Sequence, residues 1–220
     1  GPILDRRGRV LAAPVSGDVW GRRYPLGEAA VHPLGYYHST FGITAVERVC
    51  DSVLSGFALE RRDEVLGKGL FSQRAEEGAA VTLTLDARLQ EKAYELLEGR
   101  RGAVVILQPR SGALLALVSS PGFNPLTPDV AIAEEEKENA PAFNRAVQGV
   151  YELGSTYKLF ALAQALDLGL VNPTTMVDTK SPMVWGKFRI HDFHNYGPTN
   201  SVTDVIVKSS NIGTAHIAQM

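Results

Sequence analysis

Gly154-Ser155-Thr156-Tyr157-Lys158 opens a segment in which Leu159, Phe160, Leu162, Ala163 and Leu166 recur at helical spacing before Gly169 stops it. The segment is apolar around most of its circumference, which predicts a central helix. Ser155 falls in the first turn, where backbone N–H groups lack acceptors and the dipole favours developing negative charge. Lys158 follows three residues later and so shares a face with Ser155. A serine hydroxyl becomes a useful nucleophile only when a base removes its proton, and a neutral lysine amine at this spacing can do so. Keeping that amine neutral near pH 7 costs roughly 4 kcal/mol relative to an ordinary lysine. Burial beside a helix N-terminus, together with a second cation, pushes it that way. By itself the pattern is weak, because an N-cap serine and a snorkelling surface lysine spell the same letters.

A second constellation, Ser209-Ser210-Asn211, lies between a helix expected from about Thr203 to Lys208 and another starting near Asn211. A tight turn there can point side chains into a cleft. Ser209 offers a hydroxyl that donates and accepts, and Asn211 an amide that can hold a carbonyl or the lysine. An ordinary turn with a helix cap uses the same residues.

Upstream, Ala103 to Leu107, Pro109-Arg110-Ser111-Gly112 and Ala113 to Val118 read as a β-hairpin. Both arms are nearly continuous apolar runs, which predicts a sheet covered on both faces. Val81 to Leu85 reads as a strand. Asp86 then caps a helix carrying Leu89, Ala93, Leu96 and Leu97 on one face, with Gly99 as its stop. Residues 1 to about 80 are short segments broken by Gly and Pro, including a helix from Ile43 to Leu54 with Val46, Val49, Cys50 and Val53 apolar. The whole is expected to be α+β.

The chain has 220 residues, 45% apolar and 21% charged, with a net charge of −2. That is ordinary globular composition, with no global pull toward nucleic acid. No Walker loop, Gly-x-Gly-x-x-Gly or Cys-x-x-Cys occurs. Cys50 is the only cysteine, so an internal disulfide is impossible, and a buried structural thiol is expected. The run Glu134-Glu135-Glu136-Lys137-Glu138 reads as a solvated face. His191-Asp192-Phe193-His194 could ligate zinc, but nothing aims these side chains, and loop residues with a structural role are expected. His32, His38 and His216 are scattered and read the same way. No cofactor or metal is expected. No stretch approaches the ~20 apolar residues of a membrane span.

Taken together, these segments resemble the penicillin-binding proteins, whose signature includes Ser-x-x-Lys, a Ser-x-Asn element and Lys-Thr-Gly. Leu4 to Ala12 looks like the opening of the class B non-catalytic region. Tyr24-Pro25-Leu26-Gly27 with Leu34-Gly35-Tyr36 is similar to its next landmark, and Gly42 to Glu47 to its following helix start, with Ala45 where a glycine is common. Leu83 to Gln90 resembles the join into the transpeptidase domain, and Gly102 to Pro125 that domain's first hairpin. Asn144-Arg145-Ala146, Gly154 to Lys158 and Ser209 to Ala215 complete the likeness.

The resemblance implies a small irregular β-containing pedestal at 1–79, of the short-pedestal subgroup. It also implies the first part of a serine transpeptidase domain at 80–220, an incomplete penicillin-binding fold of a sheet flanked by helices. Ser155 would be the acylated nucleophile, Lys158 its general base, Ser209 a proton relay and Asn211 the group that orients the substrate amide. The Ser155 N–H would form half the oxyanion hole. Implied partners are D-Ala-D-Ala stem peptides of peptidoglycan, β-lactam antibiotics and, through the N-terminal region, a membrane glycosyltransferase. The implied location is the outer face of the bacterial cytoplasmic membrane, anchored by a preceding helix.

The chain departs from the family at Leu153, where proline is common, and at Tyr157, where phenylalanine is frequent. No Lys-Thr-Gly follows Asn211. The chain is therefore expected to be a piece of a longer protein and inactive alone. A serine β-lactamase or β-lactam sensor, and a catalytically incomplete scaffold, are the alternatives. Ser210 stands where class A β-lactamases carry aspartate, which favours the transpeptidase.

Overall fold

The computed structural model describes residues 1–18, 21–56, 78–133 and 140–220. The acidic run from Glu134 to Glu138 lies outside them. The chain separates into two compact units, Gly1–Gly149 and Val150–Met220.

The first unit begins with strands β1 (Ile3–Leu4), β2 (Val10–Pro14) and β3 (Arg22–Arg23), followed by helix α1 (Val31–Leu34). Then come β4 (Tyr37–His38), β5 (Gly42–Ile43), α2 (Ala45–Val49), α3 (Asp51–Leu54), β6 (Val81–Thr82) and α4 (Ala87–Leu97). Strands β7 (Gly102–Leu107) and β8 (Leu114–Ser120) and helix α5 (Pro128–Ala133) complete it. One sheet has the order β3-β2-β1-β6, in which β1 and β6 run parallel and the other pairs antiparallel. Strands β4–β5 and β7–β8 form separate antiparallel pairs. Ile3, Leu11, Ala12, Leu26, Ala30, Leu34, Leu54, Leu85 and Ala87 make the core beneath them. Cys50 is half-buried against that core as a free thiol.

Asp5 ties the chain start to helix α4. It is buried, and its Oδ1 accepts the N–H groups of Arg7 and Arg9 at 2.8 and 2.9 Å. Its Oδ2 accepts that of Ala87 at 3.1 Å. Burial works to raise its carboxyl pKa, but the bonds from Ala87, Arg9 and Arg7 and the charge of Arg9 outweigh it, and the net direction is down. Asp86 caps α4 as expected, accepting from the N–H of Arg88 at 3.1 Å.

Two expectations need correction. The helix expected over Ile43–Leu54 is two short helices broken at Cys50, and Val49 is exposed while Glu47 is buried. The reason is an ion pair: Glu47 accepts from Arg22 Nη2 at 2.7 Å and Nε at 3.0 Å, which turns the polar residue inward. In α4 the buried residues are Ala87, Gln90 and Ala93, whereas Leu89 and Leu96 are exposed. Gln90 sets that rotation, donating to Ala29 O (2.6 Å) and Leu117 O (2.8 Å) and accepting from Leu117 N (2.9 Å). A glutamine that satisfies three backbone groups is as good a core residue as leucine here, because those groups would otherwise be buried unpaired. Strand β7 alternates half-buried with exposed residues, and α4 packs against β8. Among the described residues α4 covers one face of the hairpin, and Val105 and Leu107 are exposed.

The second unit starts with a 3-10 turn (Gly154–Tyr157) that runs into α6 (Lys158–Asp167). It continues through β9 (Met176–Asp178), β10 (Met183–Trp185), β11 (Phe188–Ile190), β12 (Thr199–Ser201), α7 (Val202–Val207) and α8 (Asn211–Ile217). Strand β12 pairs antiparallel with β9, and β10 with β11. Leu162, Ala165, Val171, Val177, Val202, Val205 and Ile217 form its core, with α6 packed on α8 and α8 on β9. Each such side chain contributes about 1.5–3 kcal/mol when fully buried, less for alanine. Among the described residues, Leu162 and Ala165 of α6 are buried, with α8 packed on the helix, while Leu159, Phe160 and Leu166 are exposed. Among the described residues no helix is long and apolar enough to cross a membrane.

Asp5→Asn keeps one acceptor oxygen but turns an amide N–H toward the Ala87 N–H, so it should cost roughly 1–3 kcal/mol. Because the folded carboxyl pKa is depressed, Asp5 adds stability above its unfolded pKa of ~3.9 and loses it as pH falls through the folded value. Urea unfolding between pH 7 and 3 should therefore show a smaller acid loss in the variant.

Candidate active site

Helix α7 starts at Ser201, whose hydroxyl accepts the N–H of Asp204 at 3.1 Å, and ends in a turn built on Ser209. The N–H of Ser209 donates to Ile206 O and that of Ser210 to Val205 O, both at 3.0 Å. This pairing is a Schellman cap, and its left-handed position normally belongs to glycine. Here Ser209 occupies it with φ of +55°. A serine so placed costs on the order of 1 kcal/mol, so the turn stores strain at the residue the sequence marks for chemistry. Close packing holds the far side. A side chain at Gly213 would put its Cβ 2.5 Å from Val205 Cγ2, so only glycine lets α8 sit this near α7.

The strained turn delivers both oxygens of Ser209 to Lys158. Lys158 Nζ lies 2.5 Å from Ser209 O and 3.0 Å from Ser209 Oγ, across fifty-one positions of sequence. Partial burial lowers the Lys158 pKa below the ordinary lysine value, and the Asp192 carboxylate opposes that shift. Ser155 sits in the 3-10 turn one step before Lys158, exposed, and its hydroxyl has no hydrogen-bond partner among the described residues. Gly154 precedes it at φ +54°, with open space where a Cβ would stand, so the constraint there is backbone conformation.

Asp192 organises the other side of the turn. Its Oδ1 accepts the N–H groups of Asn211, in a very short bond, and of Ile212 at 3.1 Å; its Oδ2 accepts the Ser210 hydroxyl at 2.7 Å. The Ser210 hydroxyl oxygen also accepts the Gly213 N–H at 2.9 Å and so caps α8. Asn211 Nδ2 donates to His191 O at 2.8 Å, and its Oδ1 accepts no hydrogen bond among the described residues. Among the described residues no group of three or more ligating side chains could hold a metal ion.

The structure thus brings Lys158 and Ser209 together, places Asn211 two residues beyond Ser209 with its amide on His191, and keeps Ser155 on the Lys158 stretch. Sequence spacing groups Asp192 only with its neighbouring histidines and marks neither Lys208 nor Asn200. No spacing rule links Asp192 to Asn211 nineteen residues on, since the pairing depends on how the β10–β11 hairpin returns. The left-handed Ser209 had a faint signal only, a non-glycine residue at the end of a helical segment.

Residues 102–220 match the penicillin-binding protein transpeptidase domain. The probable peptidoglycan D,D-transpeptidase PenA of Neisseria gonorrhoeae is 32% identical over 213 residues, 90% of this chain and 35% of that protein. The peptidoglycan D,D-transpeptidase PbpA of Mycolicibacterium smegmatis is 30% identical over 229 residues, 93% of this chain and 46% of that protein. Among solved structures, the crystal structure of PBPA from Mycobacterium tuberculosis matches with a TM-score of 0.74 at 26% identity, covering 99% of this chain and 54% of that one. The D,D-transpeptidase domain from Eggerthella lenta matches with a TM-score of 0.71 at 29% identity, covering 93% of this chain and 46% of that one. The chain therefore spans between about a third and a half of the relatives it matches. With its α+β architecture of short sheets flanked by helices, it belongs to the penicillin-binding protein transpeptidase family, as a class B penicillin-binding protein.

Proposed function

We propose that this chain carries the acylation machinery of a peptidoglycan D,D-transpeptidase. The observation that carries the reading is the bonding of Lys158 Nζ to both oxygens of Ser209, with Lys158 one helical turn after Ser155. Family membership supports it, as do the imipenem and penicillin G acyl-enzyme complexes recorded for the M. tuberculosis protein. In this reading neutral Lys158 takes the Ser155 proton as Oγ attacks the penultimate D-alanyl carbonyl. The Ser155 N–H supports the oxyanion. Ser209 relays the proton from Lys158 to the leaving D-alanine amine, and the acyl group then passes to an amine on a neighbouring stem peptide. Asn211 orients the substrate amide through Oδ1, its Nδ2 being held by His191.

Residues 1–79 serve as the pedestal, which docks a membrane glycosyltransferase, and residues 80–220 as the first part of the catalytic domain. The protein works at the outer face of the cytoplasmic membrane. A β-lactam acylates Ser155 and stays; Ser210, which stands where class A β-lactamases carry aspartate, is buried with its hydroxyl bonded to Asp192 and the Gly213 N–H.

Fluorescent penicillin and the full-length protein test this. One equivalent should label the wild type and survive for many minutes, and Ser155→Ala should abolish the adduct. Rapid turnover would point to a β-lactamase, and unchanged labelling of the variant would remove Ser155 from the mechanism. Asp192→Asn removes the charge that opposes the lowering of the Lys158 pKa, so that pKa should fall further and the acid limb of the acylation–pH profile should move to lower pH. Ser209→Gly should raise unfolding free energy by roughly 0.5–1 kcal/mol, because glycine relieves the left-handed strain. It should slow acylation roughly 100-fold by deleting the Lys158 partner.

A further inference from the structure

Lys208 immediately precedes Ser209 and closes α7 as its C-cap. Its ammonium donates to Asn200 Oδ1 at 2.7 Å, lies 3.5 Å from Asp204 Oδ1 and stands 6.0 Å over the Tyr196 ring. Asn200 is buried in β12, and its Nδ2 donates to Thr179 Oγ1 at 2.7 Å and to Tyr196 O at 3.1 Å. Thr179 in turn donates to Gly197 O at 2.9 Å. The chain of bonds runs from the end of α7 through the amide of Asn200 to the segments flanking the β9–β12 pair. Every polar atom of the Asn200 side chain is committed to it.

Such a network is more than a surface lysine needs. The next residue holds a backbone conformation that serine resists, and a strained position persists only where its surroundings over-determine it. The Schellman bonds fix the turn from the α7 side, Asp192 fixes Ser210 and Asn211 from the α8 side, and Lys208 adds an anchor to β12. We propose that Lys208 is a positioning residue: by pinning the end of α7 to the buried Asn200 amide, it keeps Ser209 in the left-handed conformation that meets Lys158. The effect on chemistry rests on the transpeptidase reading above, but the effect on the turn does not. Lys208 acts through the backbone and not as a charge on Lys158, whose charged neighbour is Asp192.

Two arms test it on the full-length protein. Hydrogen exchange reads the turn directly: Lys208→Met should speed exchange of the Ser209 and Ser210 amides about 10-fold or more and leave the β9 and β12 amides unchanged. Lys208→Arg, which can still donate to Asn200, should restore most of the protection. Unchanged exchange at Ser209 and Ser210 overturns the proposal.

In the second arm, Lys208→Met should lower the limiting acylation rate constant for fluorescent penicillin about 10-fold. The non-covalent binding constant and the acid limb of the pH profile should stay where they are. In a Ser209→Gly background, where the turn is unstrained and the hydroxyl is gone, Lys208→Met should cause no further loss. An equal loss in both backgrounds, or a shifted acid limb, would show that Lys208 acts elsewhere. A wild type that forms no adduct would sink the transpeptidase reading while the exchange arm still decides this one.

Discussion

Between α7 and α8 the chain turns within Lys208, Ser209 and Ser210, and it does so with serine where a φ of +55° suits glycine. That choice has a physical consequence. A glycine would make the turn more easily but would bring only a carbonyl to Lys158, whereas serine brings a carbonyl and a hydroxyl on the same residue. The strain is small beside the packing of Val205, Ile212 and Ile217, but it is local, and it must be held locally. The Schellman bonds, the Asp192 carboxylate, the close approach at Gly213 and the Lys208–Asn200 link all bear on these few residues.

Buried polar side chains do comparable work in the first unit. Asp5 gathers three backbone donors, Gln90 serves three backbone groups, and Arg22 neutralises Glu47 with the pair almost wholly removed from water. Each satisfies groups whose desolvation would otherwise be costly, and each fixes a direction that apolar contact leaves loose. Hydrophobic burial decides that these elements pack, and the polar contacts decide in which rotation.

Much of the candidate site was legible because helix chemistry is local. Ser155 and Lys158 are three residues apart on one helical stretch, and Asp86 and Ser210 are caps whose residue type declares them. The places where the pattern misled share a cause. Val49 and Leu96 look like core residues by spacing, yet Arg22 and the backbone of β8 turned Glu47 and Gln90 inward instead. Periodicity counts apolar residues and is blind to a polar residue whose partner lies far along the chain.

The sequence by itself determined the short-range elements: the hairpin around Arg110-Ser111-Gly112, the capped helix after Asp86, the placement of Ser155 at a helix start and the family its combined motifs resemble. Only the tertiary structure decided that Lys158 reaches Ser209 over fifty-one residues, that Asp192 grips the α8 N-terminus, and that Ser209 is left-handed. The division follows from range. Caps, turns and helix faces are set by neighbours within a few residues, whereas a bond across a unit exists only when every intervening segment has packed and left those two atoms hydrogen-bond distance apart.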